Sequence, residues 1–207
     1  MRTLAIDSAT EGCSVALFDD GELLAGEFRV IGRGHAEQLV PMIAALPGKG
    51  KAGRIIVSLG PGSFTGIRIG LATARALGLA WRAEVLGYPT LALVAAMARD
   101  QHPGEPVTVC MTGGHGEWFV QHFGRDGAPA GKLASLQPVE AAGYGKGKII
   151  AGSRAREMAL LEGLEPVVLD ILPDAKHTLL LPPACLTTDL APIYGRGPDA
   201  RLPGQAR

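Results

Sequence analysis

Short apolar runs dominate the start of the chain, and a wider apolar spacing follows them. Thr3–Asp7, Cys13–Phe18 and Glu22–Phe28 read as three strands, with Gly12 in the first connection and Asp19-Asp20-Gly21 in the second, a hairpin signal. From about His35 the spacing changes. Leu39, Met42, Ile43 and Leu46 recur at i, i+3, i+4 and i+7, the stripe of an amphipathic helix, and Pro41 within it predicts a kink or a late start. A strand over Ile55–Leu59 comes next, then a long helix from about Phe64 to Trp81, a short strand near Val85 and a helix from Thr90 to Arg99. Down the long helix Gly66, Gly70, Ala74 and Gly78 recur every fourth residue, leaving a stripe with almost no side chain. Such a stripe suits close packing, either inside the molecule or against a partner helix by ridge-into-groove contact of i±4 rows.

His102-Pro103-Gly104-Glu105-Pro106 reads as a linker between residues 1–101 and residues 102–207. Beyond it, Val107–Met111 and Trp118–Phe123 predict a second hairpin, Ile149-Ile150-Ala151 and Val167–Leu169 predict strands, and Arg154–Leu161 a helix. Gly143-Tyr144-Gly145-Lys146-Gly147 reads as a shortened connection, and the Gly195–Asp199 tail is so poorly patterned that we expect it to be mobile.

The stretch Gly60-Pro61-Gly62-Ser63-Phe64-Thr65-Gly66 turns an apolar strand straight into the long helix. Pro61 fixes one dihedral, and the glycines allow approaches that a Cβ would forbid. It is not a P-loop, because five residues after Gly60 stands Thr65, five after Gly62 stands Ile67, and no Lys follows. The dinucleotide fingerprint fails at Thr65, where it requires glycine, and Ser63 has Pro61 where a nucleophile elbow has glycine.

Composition narrows the classes. The chain has 207 residues, 47% hydrophobic and 19% charged, enough apolar material for a real core. Lys plus Arg equals Asp plus Glu at 20 each, a balance that argues against autonomous nucleic-acid binding, which depends on neutralising many phosphates. Cys13, Cys110 and Cys185 are widely spaced, as expected of buried thiols in a reducing compartment. The first residues include Asp7 and Glu11 and no signal-like apolar segment, and no apolar run is long enough to span a bilayer, so a cytoplasmic protein is expected. Cys110, His115, Glu117 and His122 lie close in sequence, with His115 and Glu117 on one face of a strand, but their spacing matches no standard metal site. We expect no catalytic residue and no metal ligand.

Several segments together resemble the bacterial TsaB (YeaZ) family: Leu4-Ala5-Ile6-Asp7-Ser8 with Ser14-Val15-Ala16-Leu17, His35-Ala36-Glu37-Gln38-Leu39, the glycine-rich turn running into Ile67-Arg68-Ile69-Gly70, and Pro192-Ile193-Tyr194 with Arg196–Ala200. The resemblance is strong over residues 1–100, weak over 101–190 and returns near the C-terminus. It implies an α/β chain with the actin-like ATPase fold (ASKHA, ribonuclease H-like), the order βββαβαβα being one of two related lobes and the second lobe being reduced. It also implies a non-catalytic scaffold that acts with TsaD and the ATPase TsaE to transfer threonylcarbamoyl to the tRNA adenosine next to the anticodon. ATP would be used by the complex and by no cofactor of this chain. Contact with tRNA would come only through the complex, and a homodimer through the same helices is a further expectation.

What the resemblance implies about sites is more specific. The partner-binding residues would be His35, Leu39, Met42, Ile43 and Leu46 on the first helix and Phe64, Gly66, Gly70 and Ala74 on the second. Candidate nucleotide contacts would be Asp7, Ser8 and Thr10. Actin-like kinases hold metal-bound phosphate there with an acidic residue and a Gly-Thr turn, whereas this chain has Ala9 and Glu11; the other reading of Asp7 is a turn-forming carboxylate. In the second lobe Thr112-Gly113-Gly114-His115-Gly116 stands where such kinases carry Asp-x-Gly-Gly and where the TsaB family carries Asp-Ala-Arg. TsaD binds metal through His-x-x-x-His, and the equivalent segment here ends in Leu39, leaving one imidazole, which alone cannot hold a catalytic metal. The competing function is an enzyme, either an actin-like small-molecule kinase or a glycoprotease-type metallopeptidase.

Overall fold

The computed structural model describes residues 1–144, 148–163 and 165–195. Two five-stranded mixed sheets carry the same topology twice. The first runs β3 (Glu22–Val30), β2 (Gly12–Asp19), β1 (Arg2–Asp7), β4 (Arg54–Ser58), β5 (Glu84–Tyr88). The second runs β8 (Ala134–Leu136), β7 (Trp118–Phe123), β6 (Val107–Thr112), β9 (Ile149–Ala151), β10 (Val167–Leu169). In both, the first strand of the lobe sits at the centre, antiparallel to the second and parallel to the fourth. This is the actin-like arrangement of two related lobes.

The helices repeat as well, at different lengths. The position between the third and fourth strands holds α1 (His35–Ala45, 11 residues) in the first lobe and α4 (Pro138–Ala142, 5 residues) in the second. Between the fourth and fifth strands lie α2 (Phe64–Trp81, 18 residues) and α5 (Ala155–Glu162, 8 residues). After the fifth strand come α3 (Thr90–Gln101, 12 residues) and a six-residue 3₁₀ turn at Ala175–Leu180. The second lobe is therefore reduced chiefly in its helices.

Strand alternation decides which helix covers which face. In β1, Leu4 and Ile6 face α1 and α2 while Ala5 faces the other way; in β4, Ile55 and Val57 do the same and Ile56 opposes them. The opposite face of sheet one and the Val107, Val109, Met111 face of sheet two share one core, with α3 between them. That is why α3 is buried at every residue from Thr90 to Ala98: a helix packed on two sides has no polar face. Cys110, Trp118, Val120 and Ile150 on the outer face of sheet two pack against Ala141, Ala155, Met158 and Ala159 of α4 and α5.

Three details differ from the sequence reading. Helix α1 starts at His35 and runs through Pro41, which lies on the exposed side, without a break in the assigned helix. Strand β8 and helix α4 are additional elements, too short to show a period. After Leu181 the chain returns to the first lobe as an extended strap. Thr187 and Gly87 exchange two backbone hydrogen bonds (2.8 and 3.0 Å), and the Ile193 amide donates to the Leu59 carbonyl at 2.7 Å. The expected mobile tail beyond Gly195, the Arg196–Ala200 motif and Gly145–Gly147 lie outside the described residues.

Candidate functional site

The glycine-rich turn is first a device for packing. Gly60 has φ +96°, and a Cβ there would sit 2.5 Å from the Ile193 carbonyl oxygen and 2.6 Å from Ile67 Cδ1. A Cβ on Gly66 would collide with the Ser8 carbonyl oxygen, and one on Gly70 would lie 2.5 Å from Ser8 Oγ. The every-fourth-residue stripe therefore brings α2 down onto the end of β1. Ser8 Oγ donates to the Gly66 carbonyl (2.9 Å), the Ser63 amide donates to the Ala9 carbonyl (2.7 Å), and Ser63 Oγ caps α2 by accepting from the Gly66 amide (3.2 Å).

Asp7 ends β1 and is turned inward. It is 1% exposed; its Oδ1 accepts from the Ala9 amide (3.0 Å) and its Oδ2 from the Tyr88 hydroxyl (2.8 Å). Burial pushes its carboxyl from 3.8 up to about 6, against the opposing pull of the hydrogen bonds from Ala9, Tyr88 and Ser58. This is the turn-forming arrangement. Tyr88 at the end of β5 is buried beside it, and burial together with the Asp7 charge pushes its phenol well above the usual value.

All but one of the partner-binding residues named from the sequence lie inside the molecule. His35 is 5% exposed, Leu39 0%, Met42 1%, Ile43 3% and Leu46 6%, and Gly66, Gly70 and Ala74 are buried on sheet one. His35 Nε2 is 2.8 Å from the Thr10 carbonyl and 3.3 Å from that of Gly12, so it ties α1 to the β1–β2 turn. The reason for their burial is physical: the apolar stripe of an amphipathic helix marks its own core face. The surface of these helices is the complementary set. Val40, Pro41 and Ala44 on α1 are exposed, as are Ala72, Ala76, Leu79 and Ala80 on α2. Of the residues named, only Phe64, 53% exposed at the start of α2, is accessible.

The residues that lie close in sequence near the second hairpin separate in the fold. Cys110 points into the outer core of sheet two, where burial pushes its thiol up to about 12. His115 is in the β6–β7 turn at φ +56°, off the strand that the spacing implied. Glu117 accepts from Ser135 Oγ (2.6 Å), and His122 pairs with Thr108 (2.8 Å) and stacks on Tyr144. No three such side chains among the described residues are placed to hold a metal ion.

Between the lobes lies a cleft of about 1010 Å³. One wall is Ala9–Glu11 with the start of α2; the other is Met111–His115 with Phe119 and Ser153; Tyr194 of the strap closes one end. Of the candidate nucleotide contacts, Thr10 lines it, and Asp7 and Ser8 lie beneath the surface. Thr112 is fastened to its own lobe, its amide donating to Ser153 Oγ (3.0 Å) and its hydroxyl accepting from Arg154 Nε (3.1 Å). Among the described residues the donor set does not fit a metal–polyphosphate: the inward Asp7, the Glu11 lining and the Thr112 in place of an acid leave no paired carboxylates for a cation, and Arg68 is the one Arg or Lys of the described lining. At the rim, the Arg68 guanidinium lies 3.4 Å from the Phe64 ring centroid, Arg68 Nη2 donates to the Tyr194 hydroxyl (3.1 Å), and the two rings are 5.3 Å apart. This aromatic–guanidinium group joins residues 126 positions apart, so local sequence carries no trace of it.

The family model described as TsaD, tRNA N6-adenosine threonylcarbamoyltransferase, matches residues 29–151. The tRNA threonylcarbamoyladenosine biosynthesis protein TsaB of Escherichia coli is 37% identical over 131 residues, which is 61% of this chain and 56% of that protein. The chain thus spans little more than half the length of the curated relatives it matches. Among solved structures, YeaZ from Pseudomonas aeruginosa superimposes with TM-score 0.79 at 29% identity, covering 93% of this chain and 99% of that one. An uncharacterised protein with similarity to the peptidase YeaZ from the same organism gives TM-score 0.73 at 30% identity, covering 86% and 88%. The chain belongs to the TsaB (YeaZ) family, with the actin-like fold of that family.

Proposed function

We propose that this TsaB-family chain is a non-catalytic scaffold in tRNA threonylcarbamoyladenosine biosynthesis, docking on TsaD while TsaE and ATP complete the machinery that transfers threonylcarbamoyl to the adenosine next to the anticodon. The observation that carries this reading is the outer surface of α1 and α2. Leu79 is 84% exposed and Val40 56% exposed, and Ala36, Ala44, Ala72, Ala76 and Ala80 of the same two helices are exposed as well. Two helices thus present small and apolar side chains to the outside after their core stripes are already covered. A stable interface buries about 1,600 Å² in total, which two helices of 11 and 18 residues can largely supply. A homodimer would use the same surface and compete with TsaD. We take 1–101 as the lobe that docks and 102–207 as the reduced second lobe and tail. Among the described residues no helix is long and apolar enough to cross a membrane, which agrees with a cytoplasmic setting.

The inward Asp7 and, among the described lining residues, a single Arg and no Lys support the non-catalytic part of the reading. The test is co-purification with TsaD from the same organism, using Val40→Glu and Leu79→Glu. Both variants should lose TsaD while keeping the melting temperature of the parent, because each side chain already faces solvent. Intact binding by both would place the docking surface elsewhere.

A further inference from the structure

We propose that a rim of uncompensated cations around the α1–α2 face makes this chain choose a partner with an acidic rim and disfavours pairing with a second copy of itself; the inference rests on the docking reading above. The basic side chains of the first lobe sort into two groups. Arg2, Arg29 and Arg54 each meet a carboxylate of their own lobe, Asp19 at 3.5 Å, Glu27 at 2.5 Å and Glu84 at 2.7 Å. Arg33, Lys49, Lys51, Arg68, Arg75 and Arg82 are all exposed, and among the described residues none of them forms an ion pair. Arg68 and Arg75 reach only neutral acceptors, the Tyr194 hydroxyl (3.1 Å) and the Leu190 carbonyl (3.0 Å). The remaining cation, Arg99, lies on α3 and bonds the Arg125 carbonyl.

The unpaired group is not scattered. Arg33 stands just before α1, and Lys49 and Lys51 follow its end at the Pro47–Gly50 turn. Arg68 and Arg75 are close to two turns apart and so share one side of α2, and Arg82 caps its C-terminus. The unpaired acids nearby are Glu37 on α1, Glu11 at the cleft and Asp189 beside Leu190, so positive charge prevails around the face. Its middle is uncharged: Val40, Ala72, Ala76 and Leu79. An apolar centre inside a charged rim is the anatomy of a protein interface, whereas an RNA backbone would gain nothing from that centre. The centre offers the same burial to any apolar partner, so the rim decides between partners. In a two-fold pair of this chain the same patch meets itself, and the two cationic rims come together. A partner that carries carboxylates at its own rim turns that repulsion into attraction and speeds encounter.

The test is the salt dependence of two associations of the whole chain, with TsaD of the same organism by stopped-flow kinetics and with itself by sedimentation. From about 0.1 M to about 1 M NaCl the screening length falls from about 10 Å to about 3 Å. Over that range the association rate with TsaD should drop at least about tenfold, while self-association holds or tightens. Lys51→Glu combined with Arg82→Glu should slow association with TsaD at least about threefold at low salt and flatten its salt dependence. Arg75→Gln, which keeps a donor for the Leu190 carbonyl, should do the same, and both variants should keep the parent's melting temperature because these side chains are exposed. Arg125→Gln, a second-lobe cation 3.8 Å from Glu105, should behave as the parent. Val40→Glu and Leu79→Glu separate the two readings. If they abolish TsaD binding while salt and the rim variants leave it unchanged, this proposal alone falls. If TsaD still binds both, the docking reading falls and takes the rim with it. Self-association that weakens with salt as TsaD binding does, or displacement of TsaD by bare tRNA, which would assign the cations to an RNA backbone, would each overturn the proposal.

Discussion

Replacing Asp7 by Asn should flatten a pH dependence that the buried carboxyl imposes on stability. Asp7 is fully enclosed, and its carboxyl moves from 3.8 to about 6 because burial outweighs three hydrogen bonds to the charged form. The sign follows from linkage. The native state binds this proton more tightly than the unfolded chain, so the stabilising contribution is complete below about 3.8 and is lost as pH rises through about 6. A shift of about two units corresponds to roughly 3 kcal/mol between the low- and high-pH limits. Between pH 8 and pH 4 most of it is recovered, about 2 kcal/mol. Asn keeps a carbonyl oxygen for the Ala9 amide and has nothing to ionise. Urea denaturation of both proteins across that range gives the difference in unfolding free energy, in which all other titrating groups cancel. The Asn protein should gain on the parent by about 2 kcal/mol as pH rises from 4 to 8. A difference that stays constant with pH would refute the reasoning, showing that Ala9, Tyr88 and Ser58 compensate the buried charge in full.

Gly66→Ala should lower stability by about 1–3 kcal/mol in urea denaturation despite the roughly 1 kcal/mol that Ala gains over Gly inside a helix, since its Cβ meets the Ser8 backbone; equal or higher stability would show that β1 can move away. Met42→Glu should fail in thermal stability before it fails in TsaD binding, because Met42 is 1% exposed in the core; a stable variant that has lost only TsaD would restore Met42 to the docking surface. The purified chain should neither hydrolyse ATP nor cleave peptides above background, and turnover abolished by Asp7→Ala or His35→Ala would overturn the scaffold reading. The isolated chain, with 20 basic and 20 acidic side chains, should bind tRNA weakly; a tight complex that weakens steeply with salt would reveal a basic patch.

Much of the first lobe was legible because its elements are long enough to show a period. The hairpin at Asp19-Asp20-Gly21, the stripe of α1 and the turn into α2 all carry local signals. In the second lobe β8 and α4 have 3 and 5 residues, less than a period needs, and were missed. The named partner residues other than Phe64 are buried for a different reason. Leu39, Met42 and Ile43 are the strongest apolar signal on α1, but apolar strength reports burial, and on a helix packed against a sheet only what the stripe leaves over is open to a partner. Tyr88 and Tyr194 reach Asp7 and Arg68 across 81 and 126 positions, contacts that only the folded chain creates.

The internal repeat gives the two walls of the cleft equivalent strand ends. Asp7 and Thr112 end the central strands of their lobes, β1 and β6, each six residues long and each paired antiparallel with the strand that follows. A cation-binding cleft requires acidic groups at such strand ends to project between the lobes. Here both ends are occupied within their own lobe, Asp7 by Tyr88 and the Ala9 amide, Thr112 by Ser153 and Arg154. Polar groups at these strand ends fasten each wall in place. Among the accessible groups are Phe64, Arg68 and Tyr194 at the mouth, and Val40 and Leu79 on the outer surface of the first lobe. On the scaffold reading proposed above, the chain acts through these surfaces.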